Sequence, residues 1–413
     1  MSTATMSVAS PSSGPMKNPM FRLLWIGSTI SLVGDQFYLV ALPWLILQLT
    51  GSGVALGAIL MSAAIPRAVL MLMGGAVTDR TSPRKIMIST ASARAVFVGA
   101  IAALIYTHSI HLWHLYLLAF GFGVADAFYL PATSAFLPTI IERDQLVAAN
   151  SVLQSRSLIT SIAGPTPAAL ILKALGAGWA FLLDAISFLF VIGALWKLPD
   201  PPQTQTTAKP GLWSSIVEGL KYVNSDVALR SLMLLTSVLN FCMSGPITVG
   251  LAYLTKQKFA SPTSYAICIS AVAGGLLVGT LVAGMFAKHS RGPLLLWVSA
   301  ALGVCTMSIG LLQHLWLIAA MLFVMGTTSG LVSVHISAWF QQRVDRTKLG
   351  RVASVAMFAS IGLMPVSLAV AGLLVQWSVV LMFFLSGASV LIVTSLAAIQ
   401  RTVREIQKSG TGI

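Results

Sequence analysis

Apolar runs long enough to cross a lipid bilayer recur from residue 21 to residue 399, separated mostly by short polar connections. A helical span needs about 20 mainly apolar residues. Twelve stretches meet that need: 21–47, 54–77, 86–107, 112–137, 147–173, 179–197, 229–254, 263–287, 294–312, 315–339, 352–375 and 379–399. The chain is 9% charged and 56% hydrophobic, whereas a soluble domain carries about a quarter charged residues. In hydrocarbon the backbone must satisfy its own hydrogen bonds. The predicted fold class is therefore all-α integral membrane, with twelve transmembrane helices. Short connections make successive helices antiparallel neighbours.

The formal net charge of +14 would suggest a nucleic-acid partner in a soluble protein. Here its distribution assigns it to the positive-inside rule. Only Lys173, Lys256 and Lys258 fall in or at the edge of predicted outer loops, and only Arg67, Arg94 and Arg156 deep inside spans. The other Lys and Arg residues lie in the tails, the even-numbered connections or the span ends beside them, which places both termini in the cytoplasm. No nucleic-acid partner is expected. The start, "MSTATMSVASPSSGPMKNP", lacks the basic-then-apolar pattern of a signal peptide, so the first apolar segment is expected to stay as a span. Cys242, Cys268 and Cys305 stand singly in apolar runs and read as buried, inert thiols.

One connection is long. Residues 198–228 begin with a Pro/Gln/Thr-rich linker. Trp213, Ile216, Val217, Leu220 and Val223 then recur at helical spacing, as in an amphipathic helix lying on the cytoplasmic membrane face. The organisation is a polar tail (1–20), a six-helix bundle (21–197), the linker with its helix (198–228), a second six-helix bundle (229–400) and a basic tail (401–413). The halves resemble each other weakly. The stretch 52–80 runs from small residues through an apolar span to glycine and a charged turn, and 261–289 does the same. Internal duplication with a cleft between repeats is a transporter architecture.

The sparse charge gathers at "GGAVTDRTSPRK", residues 74–85. Gly75 permits close helix approach, Asp79 can meet an opposing helix N-terminus or an Arg, and the basic residues suit lipid headgroups. Gly75, Asp79, Arg80 and Arg84 resemble the loop between helices 2 and 3 of the major facilitator superfamily. Ser82 and Pro83 depart from its pattern, G-x-L-x-D-R-x-G-R-K. The resemblance covers about residues 17 to 405 and implies the two-bundle major facilitator fold, with this loop as a conformational latch. The equivalent second-half turn has Lys288 where Asp79 would fall, so its latch is degenerate. "FYLPATSAFLPTII", "LVAANSVLQS" and Gly164-Pro165 are similar to the drug:proton antiporter-3 branch, which includes macrolide and enterobactin exporters. The antiporter signature of span 5 is partial: Thr160 and Ala168-Ala169 replace glycines around Gly164 and Pro165. It reads equally as a Pro-kinked helix with small packing residues.

Ionisable groups inside a membrane are expensive and mark function or a structural pair. All of them fall in the first half: Asp35, Asp126 and Asp184 as acids, Arg67, Arg94 and Arg156 as bases. Counted from the cytoplasmic ends at 1.5 Å per residue, they lie about 12 to 20 Å deep. Desolvation favours a protonated carboxyl and a nearby guanidinium an ionised one. An acid that moves relative to an Arg would therefore load and unload a proton. Asp35 and Asp126 stand open between that role and permanent ion pairs. Asp184 reads more as a cap or pair. Arg67 is the expected partner of Asp35, while Arg94 and Arg156 read as bracing residues.

The second half has no acid in a span. Its cavity candidates are Asn240, Met243, Trp339, Gln313 and His335. His108, His111 and His114 have metal-like spacing but read as solvated loop residues, so no metal is expected. No nucleophile–base constellation or phosphate loop supports an enzyme. The functional expectation is a monomeric, multi-pass secondary transporter of the bacterial cytoplasmic membrane. It would export a small amphipathic organic compound by alternating access in contact with membrane lipids, and use the proton gradient with no cofactor. The alternatives are a siderophore exporter, a lysophospholipid transporter, or a non-transporting scaffold or receptor on the same fold.

Overall fold

The computed structural model describes residues 14–200, 212–286, 291–345 and 348–399. In the first half the helices are α1 (Pro19–Thr50), α2 (Gly53–Arg80), α3 (Pro83–Tyr106), α4 (Leu112–Ile140), α5 (Leu146–Ala163), α6 (Pro165–Leu175) and α7 (Ala177–Trp196). The connecting helix is α8 (Leu212–Ser225). The second half holds α9 (Val227–Gly245), α10 (Leu251–Phe259), α11 (Pro262–Val282), α12 (Arg291–Ile309), α13 (Leu315–Arg343), α14 (Leu349–Ile361), α15 (Met364–Trp377) and α16 (Val379–Ile399). Among the described residues, ten helices are long and apolar enough to cross a membrane, and the bent pair α5–α6 makes an eleventh. The shorter apolar α12 occupies the position of the predicted ninth span.

Local sequence explains the helix starts. Proline opens α1, α3 and α11, where its missing N–H leaves no bond unmade. Asn18, Ser52, Ser82 and Asp226 accept hydrogen bonds from the first amides of α1, α2, α3 and α9. Gly51 ends α1 in the left-handed region at φ 62°, which allows the turn into α2. Three predicted spans are broken. Gly164-Pro165 bends the fifth by 40°, because proline cannot donate into the preceding turn. A π-helical turn at Pro246–Gly250 joins α9 to α10. A turn before Met364 separates α14 from α15.

The packing repeats. In the first half α2 lies against α4, and α3 against both α4 and α7; in the second, α11 lies against α13, and α12 against both α13 and α16. These are the same relations six spans apart, so the weak likeness of 52–80 to 261–289 has a structural counterpart. Small residues make the crossings close. A side chain at Gly275 or Gly279 would strike the α13 backbone, and one at Gly326 or Gly330 the α11 backbone. Gly326→Ala should therefore lower stability by about 1–3 kcal/mol, the usual penalty of overpacking. Gly193 on α7 has nothing within 4 Å of an added Cβ, so Gly193→Ala should leave stability unchanged or raise it through better helix propensity. Thermal unfolding in detergent checks both, and equal effects would contradict the close-crossing account.

The halves touch through the start of α2 and the later part of α15, where Gly53 and Gly57 meet Gly372 and Val375. They also touch through α5 and α6 against α11. At the opposite end, Arg84 donates from Nε to the Leu195 carbonyl (2.7 Å) and from a terminal nitrogen to the Trp196 carbonyl (2.9 Å). Lys85 stands 3.7 Å from Asp200, and the Ser82 hydroxyl bonds the same carboxylate. The basic loop thus binds the end of its own half's sixth span. Gly75, Asp79 and Arg80 have their backbone in α2, but their surroundings lie outside the described residues, as do Lys288, residues 1–13 and 400–413, and the Pro/Gln/Thr stretch 201–211.

α8 packs on α9 and α14. Asp226 both caps α9 and accepts from Arg343 Nε at 2.8 Å, tying α9 to the end of α13. Burial alone would raise the Asp226 carboxyl. The Arg343 hydrogen bond and the Leu229 and Ala228 amides outweigh it and hold the group below the usual carboxylate range.

Candidate functional site

The first-half charges form one connected cluster around Arg94. One terminal guanidinium nitrogen of Arg94 lies 2.5 Å from Asp35 Oδ1, and the other lies 3.8 Å from Asp126 Oδ1. Arg67 Nε lies 3.1 Å from Asp126 Oδ2. The order is Asp35, Arg94, Asp126, Arg67, one from each of α1, α3, α4 and α2. With both carboxyls ionised the cluster is neutral. A guanidinium can face two carboxylates at once, which a lysine ammonium cannot match. Aromatic rings enclose Arg94, with Phe188 and Phe122 at 4.6 and 4.7 Å and Tyr129 at 5.5 Å from its central carbon. Tyr38 stacks on the Phe122 ring at 4.5 Å. Desolvated cation–π contacts of this kind hold the charge in place.

The expected pairing of Asp35 with Arg67 is corrected. α1 touches α2 only slightly and packs mainly on α7, which also holds α3, so Arg94 comes to Asp35. Because α2 packs on α4, Arg67 meets Asp126 instead. Arg94 is thus the centre of the cluster, not a peripheral brace. Among the described residues Arg156 has no acid partner: it donates to the Trp25 carbonyl and Thr29 Oγ1 at 3.2 Å, and to the Ser28 hydroxyl. It fastens α5 to α1 about two turns before Asp35. Asp184 is fully buried between α7 and α1, with Ser187 Oγ 3.5 Å from its Oδ1 and no hydrogen-bond partner at Oδ2 among the described residues. A Cβ at Gly34 would strike both side chains. Exposure separates the acids. Asp35 and Asp126 side chains are 28% and 19% exposed, while Asp184 is 0% exposed.

A cavity of about 820 Å³ lies in the second half, with its wall drawn from α9, the π-turn, α11, α12, α13, α14 and the start of α15. None of the four clustered charges is among the described residues that line it. Asn240 and Met243 line it as expected. Asn240 donates to the Thr236 carbonyl at 2.9 Å, which leaves its side-chain carbonyl for a ligand. His335 and Trp339 do not line it; both are buried, and His335 Nδ1 faces the Leu331 carbonyl at 2.9 Å. The reason is helical phase. Ser329, Ser333 and Ser337 fall four residues apart on the cavity face, and a residue two positions along points to the opposite side. Gln313 sits in the exposed connection between α12 and α13.

The serine row and the aromatic cage of Arg94 escaped sequence reasoning. Serine can bond its own helix backbone and gives little outward signal. Aromatic residues in a span read as ordinary core or lipid contacts.

The sequence profile described as "Transmembrane secretion effector" matches residues 10–411. The chain belongs to this family of the major facilitator superfamily. It is 24% identical to "Macrolide efflux protein A" of Streptococcus pyogenes, covering 94% of this chain and 96% of that protein. It is 25% identical to "Multidrug efflux pump Tap" of Mycobacterium tuberculosis, covering 93% of each. Among solved structures, the nucleoside transporter NupG shares the fold with a TM-score of 0.77 at 12% identity, over 91% of this chain and 98% of that one. A bacterial homologue of the iron transporter ferroportin matches with a TM-score of 0.71 at 13% identity, over 94% and 98%. The family member is thus a transporter and not an enzyme, a multi-pass protein of the bacterial cytoplasmic membrane.

Proposed function

We propose that the protein is a proton-coupled exporter of small amphipathic organic compounds, working by alternating access with twelve spans in two six-helix bundles. Both termini would be cytoplasmic. The observation that carries this reading is the division of chemistry. An uncharged, serine-lined cavity in the second half suits an amphipathic substrate, and a neutral, partly exposed ion-pair cluster in the first half suits a proton. Relatives named for macrolide and multidrug efflux support the same substrate class.

Protonation would act through charge balance. A proton on Asp35 or Asp126 leaves the cluster with one uncompensated positive charge, which is costly in a low-dielectric interior. Arg67 is 50% exposed and can relieve it by moving towards water as the helices shift. Each protonation state then favours a different helix arrangement, which is the differential free energy that alternating access needs.

Filling the cavity tests the substrate half of this reading. Ser333→Trp should abolish binding of a macrolide and of a lipophilic fluorescent cation to detergent-solubilised protein. Asn240→Leu should weaken binding about tenfold through loss of its polar contact. Unchanged binding of both probes by Ser333→Trp would place the substrate elsewhere.

A further inference from the structure

A second cavity of about 490 Å³ opens beside the first, between α8, α9 and α14. Met233 and Ala359 line both. Its wall carries the exposed Lys221 on α8 and Arg230 in the first turn of α9, with no carboxylate among the described residues that line it. Arg230 is held there by Asn224 Oδ1 at 3.2 Å. The rest of the wall is largely apolar, with Leu220 and Leu234 51% and 61% exposed at its edge. Two cations above an exposed apolar groove match one kind of occupant: an anionic headgroup with a hydrocarbon chain attached.

We propose that this groove binds an anionic phospholipid of the inner leaflet. The phosphate lies between Lys221 and Arg230, and an acyl chain runs along Leu234 and Val355 towards Met233. Charge complementarity selects the headgroup, since each Lys or Arg near a membrane surface favours an anionic lipid about fivefold. Shape places the chain, because Val355 and Ala359 of α14 form one side of the groove. The bound lipid would bridge α8, α9 and α14. It would stand beside the substrate cavity without being the substrate, so the inference goes beyond the exporter reading.

The test is lipid retention by the full chain, reconstituted in equimolar phosphatidylglycerol and phosphatidylcholine, extracted in mild detergent and weighed by native mass spectrometry. Wild type should retain phosphatidylglycerol preferentially. Lys221→Gln and Arg230→Gln should each reduce that preference about fivefold, and the double variant should lose it. Leu234→Trp should lower phosphatidylglycerol retention with both cations intact, because it fills the groove. Lys173→Gln, an exposed cation at the end of α6, should change nothing. A preference unchanged in the double variant, an equal loss in Lys173→Gln, or full retention by Leu234→Trp would each overturn the proposal.

Discussion

Arg94→Met should be among the most damaging single substitutions in the chain. It removes the cation between Asp35 and Asp126 and leaves one of those carboxylates without its close partner. Removing one member of a buried pair typically costs about 3–5 kcal/mol, because the remaining charge is desolvated and unpaired. The expected result is lower stability in detergent and no gradient-driven transport. Two further variants separate charge from packing. Arg94→Met combined with Asp35→Asn should be more stable than Arg94→Met alone, since the orphaned charge is gone. Arg94→Lys should recover part of the stability but little transport, because an ammonium cannot serve both carboxylates from that position. If Arg94→Met were as stable and active as wild type, Arg94 would not organise the cluster. If the double variant were no better than the single, the loss would come from the ring contacts with Phe122 and Phe188 rather than from charge.

Much of the fold could be read from the residues because the bilayer leaves few choices. A run such as 86–107 can only be a span, and α3 covers Pro83–Tyr106. Gly164-Pro165 forecast a bend, and the bend is there. The breaks at Pro246–Gly250 and before Met364 were less visible, since an apolar run does not reveal where its helix changes pitch. The candidate site was legible as a set of residues but not as a set of pairs. Sequence places Asp35, Arg67 and Asp126 towards the midplane and Arg94 shallower, all within about 12 to 20 Å of the cytoplasmic ends. Which helices touch is decided by packing, and α1, which packs on α7 far more than on α2, gives Arg94 to Asp35. His335 and Trp339 were misplaced for a related reason. Polarity and aromaticity suggested a cavity, while helical phase turns both into the core.

The second large effect concerns the proton itself. Among the described residues Asp35 is paired with Arg94 alone, whereas Asp126 faces both Arg94 and Arg67. Asp35 is also the more exposed of the two. A proton therefore reaches Asp35 more readily and displaces fewer ion pairs there. Asp35→Asn should mimic the protonated state, hold the cluster at one net positive charge and uncouple transport from the gradient. Substrate binding should persist, since the cavity wall contains none of these groups. Asp126→Asn should have the same sign of effect but also weaken stability, because Arg67 and Arg94 both lose a partner. Asp184→Asn should leave coupling intact, as that carboxyl is sealed from water.

The most direct test of the account is substrate movement in proteoliposomes that contain only this protein, driven by an imposed pH gradient, alongside substrate binding in detergent. Wild type should move a macrolide or lipophilic cation against its own gradient, and Asp35→Asn should bind the same compound yet fail to move it when the pH gradient is applied. Unimpaired gradient-driven transport by both Asp35→Asn and Asp126→Asn would contradict the account and leave the cluster as helix-packing ion pairs.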